Sequence, residues 1–254
     1  MRNFKLILFL IFLFVFTSVN GFAQITEKEA LSRFVSAGMA YKDGQYEEAI
    51  TKYTQIIEGG LQSGAVYYNL GNSYFKKGDM GRAILNYERA KSLIPRDSDL
   101  NFNNRYVSSR INRYSAGEKI NFLDRTMKSY IEFYTINEMV MILVGAIFVL
   151  GMVFLLSLYL NWPRSFIQGM AAFLSLIVMI YAVGLVVKIQ YARDLAVVVT
   201  AAESYFEPRD DSTVHFKLSE GMKAKIMRPE SNWIKIERLD GKRGWVPLGV
   251  LERI

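Results

Sequence analysis

The chain has 254 residues, no cysteine, one histidine and a formal charge of +7, from 31 Lys and Arg against 24 Asp and Glu. Without cysteine there is no disulfide framework, thiol nucleophile or cysteine-ligated metal site, and His215 alone cannot supply a multi-histidine centre. Hydrophobic residues make up 51% of the chain and the mean hydropathy is +0.13, so apolar residues are expected to be concentrated in lipid-facing segments.

Residues 1–23 read as an export signal: Arg2 and Lys5, an apolar run from Leu6 to Phe16, then small residues at Gly21 and Ala23, with cleavage expected after Ala23 and an uncleaved anchor as the alternative. Residues 24–97 contain an internal repeat. Ala37 matches Gly71, Gly44 matches Gly78, Ala49 matches Ala83, Ile50 matches Ile84 and Tyr53 matches Tyr87, all at an offset of 34 residues, and Pro95 closes the second copy. That period and those residue types resemble the tetratricopeptide repeat, in which small residues let two antiparallel helices approach and a large ring fills the space between neighbours.

Residues 98–116 predict a capping helix, with Ser98 as its N-cap and Leu100, Phe102, Tyr106 and Ile111 covering the edge of the second repeat. Two repeats and a cap fall below the roughly three that such arrays need, so this domain is expected to lean on a neighbour or a partner. The first helix of each repeat is expected to line a groove presenting Phe34, Tyr41, Tyr68, Asn72 and Phe75, continued by Phe102 and Tyr106 from the cap. Such rings suit a peptide or partner helix, although each could equally be packed between helices. The lysines needed to clamp a free C-terminal carboxylate on this face are absent.

Residues 117–137 predict a juxtamembrane helix, either resting on the bilayer or supporting the short array. Transmembrane helices are expected at 138–160 and 166–187. Their uncharged cores, Met139 to Leu160 and Phe166 to Val187, each hold 22 residues, and a helix of that length reaches roughly 33 Å, enough for the hydrocarbon layer. The connection at 161–165 is short, so the two form a hairpin. The export signal places that loop in the cytoplasm and both soluble parts in the periplasm of a two-pass inner-membrane protein. The charge bias argues the other way, with Lys119, Arg125, Lys128, Lys188 and Arg193 outside against Arg164 in the loop.

Residues 188–254 change to strand periodicity and resemble a bacterial SH3 domain, carried by Leu218-Ser219-Glu220-Gly221, the Trp233 to Ile236 strand, the Gly241 turn, Gly244-Trp245-Val246 and Leu251 to Ile254. Tyr205, Trp233 and Trp245 are its candidate ligand surface, with core packing as the alternative for the tryptophans; His215 is expected in a long loop with Tyr205 and Phe206.

The expected fold is thus a multi-domain membrane protein: an α-helical repeat solenoid, a two-helix transmembrane hairpin and a small all-β SH3-like barrel. This order resembles the BatE-type family of the bacterial Bat aerotolerance operon, through Gly44 to Ile50, Tyr68 to Tyr74 and Gly244 to Val246. The resemblance implies a membrane-tethered scaffold in envelope maintenance or stress tolerance, with von Willebrand A-type membrane proteins as partners and, indirectly, a MoxR-type ATPase. A second reading makes the C-terminal part a peptidoglycan anchor. No GxSxG, HExxH, P-loop or GxGxxG motif is present, so no enzyme, cofactor or metal is expected, and the charge is too dispersed for nucleic acid.

Overall fold

Helices α1 (Glu27–Lys42), α2 (Tyr46–Glu58), α3 (Gly64–Lys77) and α4 (Met80–Leu93) form two antiparallel pairs in a computed structural model that describes residues 26–111, 122–157 and 163–254. The leader and its cleavage site, residues 112–121 and residues 158–162 lie outside the described residues. Each pair turns on a glycine in the left-handed region, Gly44 at φ 77° and Gly78 at φ 94°, a backbone state that a Cβ would oppose. Ala37, Ala49, Tyr53, Ala83 and Tyr87 are all buried. A Cβ on Gly71 would stand 2.7 Å from the Tyr87 ring, which is why the second copy carries glycine where the first carries Ala37.

Helix α5 (Ser98–Ile111) covers the second repeat, with two departures from expectation. Its cap is Asp97, whose carboxylate accepts from the Leu100 N–H at 2.8 Å, so that Ser98 is already helical. The covering residues are Leu100, Asn104 and Val107, with Ile111 partly buried against the same cluster as expected; Phe102 and Tyr106 instead stay 63% and 42% exposed.

Helix α6 (Phe122–Phe133) leads through a short turn into α7 (Ile136–Ser157), which packs against α8 (Arg164–Asp194). A capping box opens α7: the Glu138 N–H donates to the Thr135 hydroxyl at 3.1 Å, and the Thr135 N–H donates to the Glu138 carboxylate at 2.8 Å. Both α7 and α8 are long and apolar enough to cross a membrane, with a mean hydropathy of 2.6 in each span. They expose large apolar side chains such as Met141, Phe148, Phe154 and Phe173, each at least 64% accessible. Helix α8 continues through Asp194 instead of stopping at the end of its apolar run at Val187, which shifts the start of the C-terminal unit to Leu195.

That unit is a seven-stranded antiparallel sheet of β1 (Leu195–Val198), β2 (Ala202–Tyr205), β3 (Val214–Leu218), β4 (Lys223–Glu230), β5 (Trp233–Arg238), β6 (Arg243–Pro247) and β7 (Leu251–Arg253). The strand order is β3-β2-β6-β5-β4-β1-β7. Ala196, Val198, Phe216, Leu218, Ala224, Ile236 and Val246 fill its core. His215 lies within β3, not in a loop, its ring 4.1 Å from that of Phe206.

The short array does lean on a neighbour, and the neighbour is this sheet. Val197 and Val199 join Ile84, Tyr87, Leu100 and Val107 in one buried cluster. Backbone approaches backbone where a Cβ on Gly81 would meet the Val198 carbonyl at 2.9 Å. A Cβ on Gly221 would likewise meet Ile111 and Ile84 methyls at 2.5 and 2.7 Å. Glu88, 8% exposed, pairs with Lys223 at 2.6 Å and accepts from Asn104 at 2.6 Å. Arg89 donates to the Arg253 carbonyl at 2.8 Å.

Polar contacts also join the array to the apolar helices. Lys91 meets Glu132 at 2.8 Å, and Arg96 meets Glu138 at 2.5 Å while lying 5.2 Å over the Phe133 ring. The Lys188 ammonium donates to the carbonyls of Ile131, at 2.7 Å, and of Tyr134. Helix α6 thus sits as a bracket between α4 and α8, which favours the supporting role for this segment.

Candidate functional site

The first helices of successive units, α1, α3 and α5, lie side by side, and 3.6-residue periodicity brings the seven expected groove residues onto one face of them. Phe34 is half-buried with its ring edge-on to Tyr53 at 5.6 Å, and Tyr41 stands edge-on to Tyr46 at 5.6 Å. From α3, Tyr68 tilts against Tyr87 at 6.1 Å, while Phe75 meets the Tyr106 edge at 6.0 Å. Tyr106 then stacks on Phe102 at 6.5 Å. Phe75, Tyr106 and Phe102 therefore make a continuous aromatic ladder from the second repeat onto the cap.

A polar seam organises the floor. Asn72 accepts from the Tyr87 hydroxyl at 2.8 Å and from the Asn103 amide at 3.1 Å, and the same Asn103 amide donates to the Tyr68 hydroxyl at 2.9 Å. Asn72 is thus committed to positioning its neighbours and is less available to a ligand than its place on the face implies. Asn103 is the residue the sequence reading missed. Its signal was its place 34 positions after Asn69, on the flank of α5 that turns toward α3. Burial pushes the Tyr41, Tyr53 and Tyr87 phenols above their ordinary value, so these rings stay neutral, with hydrogen-bonding tips.

The sheet offers less than expected. Trp233 and Trp245 are 8% and 5% exposed. Trp233 packs edge-on against Tyr205 at 5.5 Å, and Arg228 and Lys235 cover the Trp245 ring at 5.2 and 5.6 Å. Of the expected surface trio, only the half-buried Tyr205 keeps substantial accessibility. The rim of Trp233 opens on a shallow depression of about 370 Å³ with Asp210, Asn232, Pro247 and Leu248. The tryptophans are packing residues first.

A family profile for the tetratricopeptide repeat matches residues 64–97, which span α3, α4 and the closing Pro95. No curated protein matches the chain. Repeats of this family mediate protein–protein interaction, and the helical array here has their architecture.

Proposed function

We propose that the chain is a membrane-tethered scaffold that recruits a protein partner through the aromatic face of α1, α3 and α5. The observation that carries this reading is the ladder of Phe75, Tyr106 and Phe102: among the rings of α1 to α5 the others are buried or half-buried, whereas Phe102 and Tyr106 remain 63% and 42% exposed beside a hydrogen-bonded floor. Exposed aromatic anchors on a rigid base are what a partner-binding surface needs.

In this reading α7 and α8 cross the inner membrane as a hairpin, because their apolar side chains face outward, and the array and the sheet, an SH3-like barrel, stand together on the periplasmic side. The chain contributes surfaces and no chemistry of its own. In support, its buried or clustered acids serve structural pairs, Glu88 with Lys223, Asp240 with Arg238 and Asp211 with Arg209. The module order supports placing the chain with the BatE-type scaffolds of the aerotolerance operon, with von Willebrand A-type membrane proteins as the partners to test. The wall-anchor alternative has weaker support, since Trp233 and Trp245 are buried.

The test is co-purification from solubilised membranes with Phe102→Ala/Tyr106→Ala, chosen because these side chains hold little of the core. Loss of the partner with an unchanged melting temperature is expected; retention of the partner would defeat the groove assignment.

A further inference from the structure

The three helices that carry the aromatic face each end in a cation at the same repeat position: Lys42, Lys76 and Arg110 follow one another at 34-residue intervals. At about 100° per residue each stands roughly 80° round its helix from Phe34, Tyr68 or Phe102 respectively, on the groove side. All three are exposed. Among the described residues neither Lys42 nor Lys76 has an acidic partner. The nearby Glu47 is taken by Lys77 at 3.4 Å. Arg110 lies 4.8 Å over the Tyr106 ring and so continues the ladder. The helix dipole favours a cation in any last turn, but it has no preference for one angular position, and here all three share the groove edge.

Resting on the reading that this face is a partner site, we infer that it takes an extended acidic segment of a protein, laid across α1, α3 and α5 with its carboxylates against Lys42, Lys76 and Arg110. Neighbouring helix axes stand about 8–10 Å apart. An extended or polyproline-type chain rises about 3.1–3.4 Å per residue, so carboxylates in step with the three cations recur about every third residue. Three residues per turn of a polyproline helix keep them on one side, leaving the intervening apolar side chains to meet Phe75, Tyr106 and Phe102. The recognition differs from a clamp on a free C-terminus: the charges lie along an edge and read side chains within a segment.

Random short peptides displayed on phage are selected on the detergent-solubilised full chain, and the enriched sequences are remade with a fluorescent label for anisotropy. Sequences dependent on Phe102 and Tyr106 are expected to carry Asp or Glu at three-residue spacing. Their dissociation constant should rise about tenfold or more in Lys42→Glu/Lys76→Glu, and exchanging the peptide's acids for lysine should restore binding to that variant. Groove-dependent peptides that are neutral or basic, or that ignore the charge reversal, overturn this inference and leave the groove reading intact. Peptides indifferent to Phe102→Ala/Tyr106→Ala overturn the reading and the inference together.

Discussion

Glu88 shows how a single side chain can join two units that are distant in sequence. Burial by itself would raise its carboxyl pKa, but the Lys223 charge and the hydrogen bonds from Lys223 and Asn104 more than offset this and hold it below the ordinary carboxylate range. Lys91 adds to the same field from α4. A depressed folded value means that the stabilisation is complete above the unfolded carboxylate's pKa of about 4.3 and is lost as the pH falls through the folded value. Glu88→Gln should therefore cost about 3 kcal/mol at neutral pH in denaturant unfolding of the solubilised chain. That is the lower end for a broken buried pair, because Lys223 remains 27% exposed. The gap from wild type should begin to narrow below about pH 4 and vanish only below the depressed folded value, where protonation makes the two alike; a gap that stays constant with pH would mean that the pair does not stabilise the fold.

At the scale of elements, the array was readable because its constraints are local. The glycines at Gly44 and Gly78 announce turns, and the small and aromatic positions recur in one register. The face of α1, α3 and α5 followed from helical periodicity, although periodicity could not say that Asn72 would be held by Tyr87 and Asn103. The docking of α4 on β1 was not readable. Val197 and Val199 look like any strand residues, and nothing near Glu88 in the chain points to Lys223. Gly81 was the one available clue, a glycine inside a helix where the first repeat has Glu47. By helix propensity alone Gly81→Ala should stabilise the chain by up to about 1 kcal/mol. The Val198 carbonyl and Val199 Cα, 2.9 and 3.0 Å from the new Cβ, belong to backbone that cannot simply rotate away. The larger Gly81→Leu should separate the two units, so that Lys223, held against Glu88 in the docked molecule, reacts several-fold faster with an acylating probe. Unchanged labelling of Lys223 would mean that α4 does not bear on the sheet as described.

At the scale of the whole molecule, the excess of apolar residues is explained by α7 and α8, whose exposed side chains suit a lipid surrounding better than water. The remainder is tied to their ends. Arg96 grips Glu138 where it caps α7, Lys91 grips Glu132, and Lys188 near the end of α8 fastens the α6–α7 turn. The sheet, which follows α8 directly, packs against the back of the array and supplies the support that two repeats and a cap lack. The face of α1, α3 and α5 is then held at a fixed attitude to the apolar pair, so its rings stand on a rigid base. Sequence order alone could not show this, because residues 80–111 and 195–254 meet only through the fold.

The most direct measurement places a photo-crosslinking side chain at Phe102 on the aromatic face, or at the exposed Thr51 on α2 as the control, in the full chain within intact membranes. A partner-presenting aromatic face should give a discrete crosslinked product from position 102 alone, lost when Tyr106→Ala and Phe75→Ala are added. Equal crosslinking from both positions, or a position-102 product that survives those substitutions, would contradict it.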